Sequence, residues 1–371
     1  MAEELRPEPP FGLRGAYENI WHIAAAERWS DDQLVGHRAF CGRNYPDTDE
    51  RPDTAGLAEV CSDCLAQLAE RHCSILMQLL IGTDDGLYEL RPGAPQLISD
   101  GRVSHLATDR SGDWAIVDDQ VVRLGGTALT VPDGRRPRCV LPSAEGLLIG
   151  TSQAYLYLAR GGQSPELVAG FAGAAGRETW HTPWGGPPDA RSLARDADGT
   201  LYANVHVGGV LRSTDGEAWA PTMDIAADVH QVSAHPTLAG CVMVASAWGL
   251  GTSLDSADSW QFARDGLHHA YARAVVAAGE TVLISASDGP RGGRGALYRR
   301  PLRSGEPLEK CRSGLPEWIE GNIDSGCLVA SGAEVAFGTA DGSVFVSADA
   351  GANWSAAATG LPSIRALAVS S

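Results

Sequence analysis

Lysine is almost absent: Lys310 is the only one, so nearly all of the 29 basic residues are arginine. Acidic residues number 46, and the formal net charge is −17 at pH 7. A phosphate backbone needs a basic face, so that balance argues against nucleic acid as a partner. Long apolar runs are missing as well, and none approaches the ~20 residues of a membrane-spanning helix. The first ten residues, Met-Ala-Glu-Glu-Leu-Arg-Pro-Glu-Pro-Pro, are acidic and lack the apolar segment of a secretory signal. The expectation is a cytoplasmic chain with no membrane partner, whose eight cysteines are reduced or metal-bound rather than paired. Phe and Tyr are scarce, at 6 and 8, beside 44 Gly. This composition suits many short strands joined by tight turns.

What the chain does have is a repeated turn. Residues 343–354 carry a short apolar strand followed by Ser347-x-Asp349-x-Gly351-x-x-Trp354. Asp can accept hydrogen bonds from the amides of its own turn, Gly supplies a positive φ, and Trp pins the corner to the next strand. Ser253-x-Asp255 with Trp260 keeps the spacing but has Ala257 in the glycine position, and Ser213-x-Asp215-Gly216 with Trp219 is one residue shorter. Imperfect copies of one turn point to an internally repeated fold.

The N-terminal part differs. Residues 1–19 are rich in Pro and Glu and read as a flexible tail. Residues 20–76 begin with a short strand at Ile20–Ile23, then carry Cys41-Gly42 and Cys61-Ser-Asp-Cys64 at the start of a segment of helical spacing, 65–72. Two cysteines in C-x-x-C spacing at a helix N-terminus can hold one metal as thiolates. A structural zinc needs four ligands, which Cys41 and a histidine, His22 or His37, would complete, with Cys73 as a fallback. A redox Cys-x-x-Cys is disfavoured because no βαβ pattern surrounds it. The run Trp-His-Ile, Cys-Gly-Arg and Val-Cys-x-x-Cys-Leu resembles the small zinc-finger-like modules common at the ends of actinobacterial proteins. That resemblance implies His22 as the fourth ligand; a purely structural zinc is expected because a module of this size cannot bury enough core without metal.

From Met77 onward the chain reads as repeats of about 35–45 residues, the period of propeller blades. Blade starts align at Val103, Arg138, Arg191, Gln231, Arg273, Ser325 and Arg365, and second strands at Leu79–Thr83, Leu147–Thr151, Leu201–Val205, Val242–Ser246, Val282–Ala286 and Val335–Thr339. Residues 364–370 supply a first strand with nothing after it, and residues 77–99 supply later strands with no first. Joining them in one blade removes the exposed edges of an open sheet. The expected fold is therefore all-β: a seven-bladed β-propeller over 77–371, closed by the strand 364–370, with a small N-terminal zinc-binding module. The Asp turns, the Arg-(Ser/Ala)-Leu-Ala starts and the Gly-Thr second turns resemble the BNR/Asp-box propeller superfamily, which includes sialidases, sortilin-type receptors, xyloglucanases and photosystem-assembly-factor-like propellers. The resemblance implies the fold and places the Asp turn at the blade periphery, away from the central channel.

In a propeller, the loops entering the innermost strand and those joining the second and third strands emerge on one face around the channel mouth. Candidate ligand-binding residues on that face are His181, Trp184, Asp189, Arg191, His206, Asp228, His230, His269, Tyr271, Arg273, Asp288 and Asp324. His206, His230 and His269 with Asp228 or Asp288 would suit a second metal in the channel, although no H-E-x-x-H spacing is present. Arg138, Arg191, Arg273 and Arg365 could form an anion-binding ring. Residues 161–190 are expected to form an ordered lid, with Trp184 stacking on a small or sugar-like ligand. Cys139, Cys241 and Cys327 fall in apolar strands and read as buried thiols. A sialidase is disfavoured, since no Arg-Ile-Pro occurs. The leading expectation is a cytoplasmic ligand-binding or scaffold propeller that takes a small molecule or protein segment. The alternative is an enzyme: a metal-dependent one, or a glycosidase-like hydrolase using Asp189 with Asp288 or Asp324.

Overall fold

The computed structural model describes residues 77–370 apart from 92–93, 111, 144, 162 and 183, and in the N-terminal part the backbone of five strands. Those five are Glu4–Pro7, Gly12–Arg14, Trp21–Ser30, Gln33–Ala39 and Asn44–Pro46, joined in one antiparallel sheet. Two of them fall within residues 1–19, the segment expected as a tail.

The second compact unit, Ile75–Ser371, is a seven-bladed β-propeller. Blade 1 combines Ile364–Val369 with Leu79–Thr83, Gly86–Leu90 and Gln96–Asp100, so the two ends of this unit meet in one sheet. The pairing is antiparallel, with Leu367 opposite Ile81. Blades 2 to 7 start from the inner strands Val103–Asp109, Pro137–Ser143, Ala190–Arg195, Val229–Ala234, Tyr271–Ala278 and Leu328–Ser331.

Each blade runs from a buried inner half to an exposed outer edge. The second strands Leu79–Thr83, Leu201–Val205 and Val242–Ser246 are buried at every residue, because neighbouring blades cover both faces. The outermost strand Gln96–Asp100 is exposed at every residue. Packing between blades explains the Gly-Thr ending of the second strands. A Cβ on Gly82 would lie 2.5 Å from Val103 Cγ1 of the next blade, so only glycine admits that approach. The four described cysteines, Cys139, Cys241, Cys311 and Cys327, are free and buried, and burial pushes the Cys139 thiol up to about 12.

The repeated Asp turn joins the third and fourth strands. Ser347 Oγ donates to Asp349 Oδ1 at 2.8 Å and accepts from Gly351 N at 2.9 Å, while Asn353 N donates to the same carboxylate at 2.8 Å. Trp354 Nε1 closes the corner on Gly351 O at 3.0 Å, and Gly351 has φ +80°. The copy at 253–260 reproduces the carboxylate bonds with Ala257 forced to φ +70° and Trp260 Nε1 left without a partner. The shorter copy at 213–219 keeps both, through Ala218 N to Asp215 Oδ1 and Trp219 Nε1 to Gly216 O.

A second feature recurs at the opposite end of the blade. In six blades the pairing of the first two strands slips by one residue near the start of the inner strand. Such a bulge leaves one residue unpaired and re-aims its side chain. The unpaired residues are Ser104, Arg138, Arg191, His230 and Arg365, with Arg273 in the wider slip of blade 6. This register corrects the sequence alignment of blade 5 by one residue: His230, not Gln231, is the counterpart of Arg191.

Candidate functional site

The bulges gather charge at the channel. A cavity of about 390 Å³ is lined by Arg138, Arg191 and Arg273, together with Asp189, Asp324 and Gln231. Two of these arginines are matched. Arg138 Nε lies 2.9 Å from Asp189 Oδ2, and Arg273 Nη1 lies 2.5 Å from Asp324 Oδ1. Arg273 also donates to Tyr271 Oη at 3.2 Å. Arg191 has no carboxylate within ion-pair distance among the described residues. Burial, then the repulsion of Arg273, pulls its guanidinium below the ordinary arginine value. The fourth arginine of the expected ring, Arg365, does not join this lining: it forms a two-pronged pair with Asp84 at 2.9 and 2.6 Å.

Beside Arg191 the chain assembles two histidines around one carboxylate. His206 immediately follows the second strand of blade 4, Asp228 ends the entering loop of blade 5, and His230 occupies that blade's bulge. Their ligand atoms lie within 4.8 Å of one another. His206 Nε2 is 3.4 Å from Asp228 Oδ1, and His230 Nε2 is 3.6 Å from Oδ2. Asp228 adopts φ +46°, a conformation Asp tolerates better than most residues. Its Oδ1 is buried without a well-formed hydrogen bond. The close approach of His206 holds the Asp228 carboxyl below the usual carboxylate range. Burial pulls His230 down to about 4, so it is neutral at pH 7. Its Nδ1 donates to Ala272 O at 2.7 Å, which leaves the Nε2 lone pair facing Asp228. Aromatic rings frame the pair: Tyr271 lies 4.6 Å from His230 and Trp184 5.4 Å from His206, centroid to centroid.

The other expected site residues go elsewhere. His269 is exposed and does not approach His206 or His230; its nearest ring neighbour is His268, at 6.5 Å. The sequence grouping of these three histidines is thus corrected, because the entering loop of blade 6 turns His269 to solvent. Asp288 is held by Arg294 at 3.2 Å and by that residue's amide at 3.0 Å, away from the cluster. His181 is exposed and bonded to Thr179 O. In the long loop, Phe171 and Trp180 are buried and pack on each other at 5.8 Å, while Trp184 is 73% exposed. Cys41, Cys61 and Cys64 of the expected zinc module lie outside the described residues. His22 and His37 fall on Trp21–Ser30 and Gln33–Ala39, of which only the backbone is described.

No family model matches the chain, and no curated protein matches it. Among solved structures it is similar to a candidate 6-phosphogluconolactonase from Bacteroides fragilis NCTC 9343, at 11% identity over 79% of this chain and 97% of that one, with a TM-score of 0.51. It is similar to the GH74 enzyme of Niastella koreensis at 13% identity, over 76% of this chain and 46% of that one, with a TM-score of 0.49. A third is the extracellular domain of a candidate hybrid two-component system, BT3049, from B. thetaiotaomicron, at 14% identity over 74% and 36% of the two chains, TM-score 0.49. The chain spans less than half the length of these last two. At such identities the likeness shows the fold alone. The fold is an all-β propeller, and propellers of one architecture host unrelated functions.

Several channel residues escaped the sequence reading. Ser104, His105, Ser192 and Ser325 line the same cavity as the arginines. The available signal was position: Ser104, His105 and Ser192 sit in inner strands at or next to the residue matching Arg191, and Ser325 lies in the turn just before the inner strand Leu328–Ser331. It was obscured because a bulge breaks the period-two alternation on which strand reading rests. Among the described residues, no helix is long and apolar enough to cross a membrane.

Proposed function

We propose that the propeller is a binding protein whose channel mouth takes a ligand bearing an anionic group, either a small molecule or a carboxylate presented by a protein segment. The observation that carries this reading is Arg191, a half-buried guanidinium on the cavity wall without the carboxylate partner its two neighbours have. An incoming anion would supply that partner, and a charge-assisted pair away from bulk water is worth more than one at the surface. Trp184, 73% exposed at the rim, offers an apolar face for the rest of the ligand. Calorimetric titration with inorganic phosphate, small di- and tricarboxylates and an acidic peptide tests the reading and separates its two ligand sources. Saturable binding weakened tenfold or more by Arg191→Gln, and much less by Arg138→Gln, is expected. Absence of anion binding, or binding indifferent to Arg191→Gln, would refute it.

A glycosidase-like reaction is less favoured. Asp189, Asp288 and Asp324 are each already committed to an arginine, and that chemistry needs one carboxyl free to act as an acid. We also propose that Cys41, Cys61 and Cys64, with His22 or His37, hold a structural zinc. Loss of one zinc equivalent in Cys61→Ser checks this.

A further inference from the structure

We propose that His206, Asp228 and His230 form a site for a divalent transition-metal ion of the zinc class on the rim of the propeller channel. The donor set is two imidazoles and one carboxylate, the three-ligand pattern of metal sites that keep coordination positions open. Bonds of about 2.0–2.2 Å place adjacent ligand atoms about 3.4 Å apart in a tetrahedral shell. The two histidine–carboxylate separations, to different oxygens of Asp228, are 3.4 Å to Oδ1 and 3.6 Å to Oδ2, and one ligand atom from each residue lies within 4.8 Å of the others, so a small side-chain adjustment would close the shell. Both separations are long for hydrogen bonds and near the edge length of such a shell.

Two independent observations make this more than a coincidence of residue types. Asp228 Oδ1 is buried with no well-formed hydrogen bond, its one near neighbour being His206 Nε2 at a long 3.4 Å, a deficit that a cation would remove. His230 is oriented by the bond from its Nδ1 to Ala272 O, the outer-shell arrangement that fixes a ligating histidine's tautomer. The same chain contains a counter-example. His268 also approaches a carboxylate, Asp288, at 3.7 Å. There, however, both ring nitrogens are already engaged, by Tyr298 Oη and Arg294 O, and Arg294 saturates the carboxylate. The residue types match, but no lone pair is left for an ion.

Arg191 lies close enough to influence both Asp228 and His230 electrostatically. It disfavours a bare cation and favours an ion that carries an anionic ligand in its open position. This last point rests on the anion-binding reading above, whereas the metal site itself does not.

The test uses the full chain, stripped with a chelator, titrated with Zn²⁺ by calorimetry and assayed for bound metal after gel filtration. The variants are His206→Ala and Asp228→Asn, the latter able to keep the left-handed backbone, with exposed His181→Ala as control. Circular dichroism and unfolding midpoints verify the fold. Because any N-terminal zinc is common to all forms, the difference decides. Wild type and His181→Ala should hold one zinc equivalent more than a folded His206→Ala or Asp228→Asn, or bind that equivalent at least tenfold more tightly. Equal stoichiometry, with affinities within twofold across all four proteins, would overturn the site, as would a wild-type chain that binds no zinc. Repeating the titration with phosphate present separates the two readings: a metal site without anion coupling leaves the zinc affinity unchanged.

Discussion

The Asp turns at 213–219, 253–260 and 347–354 and the bulged positions of the inner strands both recur from blade to blade, at opposite ends of the strands. In the turns the same parts are rebuilt each time. A serine and an aspartate cap the corner amides even where Ala257 must take φ +70° in place of glycine. At the bulges the backbone device is repeated but the side chain changes, from serine to arginine to histidine. A turn needs one geometry, so substitution costs stability and yields nothing. A bulge aims whatever side chain it carries at the channel, so its content is free to serve a ligand. On this reading the turns hold the ring together, and the unequal bulges, Arg191 and His230 above all, carry the specificity.

The sharpest way to break that division is to damage a turn and look for an effect at the channel. Gly351→Ala should have the largest consequence. The new Cβ would meet Leu283 Cδ2 at 2.5 Å in a backbone held at φ +80°. Left-handed strain and overpacking together predict a loss of about 2–4 kcal/mol, read by denaturant unfolding. Zinc and anion affinities of the folded fraction should stay within twofold. Asp349→Ala should cost less, about 1–2 kcal/mol, since it removes bonds to Ser347 Oγ and to the amide and side chain of Asn353 at an exposed corner. A large change in channel binding from either variant would mean that turn and rim are one coupled unit.

The ring was legible in the sequence because its signals are local: apolar second strands, Gly-Thr corners and the Ser-x-Asp-x-Gly-x-x-Trp spacing around Asp349. The rim was legible only as a set of residue types. His206, His230 and His269 were all assigned to one face; the first two come together around Asp228, whereas the loop turns His269 to solvent. Whether a loop histidine faces a channel is decided by loop geometry, which carries no period. The pairing of Arg138 with Asp189 and of Arg273 with Asp324 spans 51 residues in each case, and it leaves Arg191 as the unmatched arginine of the lining. Such long-range matching has no signature in spacing.

His105 provides the smallest and most discriminating test, because it lies on the channel wall beside the bulged Ser104 yet behaves like part of the frame. Its Nε2 bonds Val140 O of the next blade at 3.3 Å, and burial pulls its pKa down to about 4 from an ordinary 6.5. With the folded value below the unfolded one, the unfolded chain takes up a proton that the folded chain refuses. The contribution is therefore complete above about pH 6.5 and is lost as the pH falls from 6.5 towards 4. Because His105 is only half-buried, the expected loss is of order 1 kcal/mol. Unfolding free energies of wild type and His105→Gln between pH 7 and 5 isolate it: the wild-type curve should fall more steeply, with anion and zinc binding alike in the two proteins at pH 7.5. Parallel curves would show that His105 titrates as in water. Weakened binding in the variant would move His105 from the frame to the site and put the boundary between them one residue further along the strand.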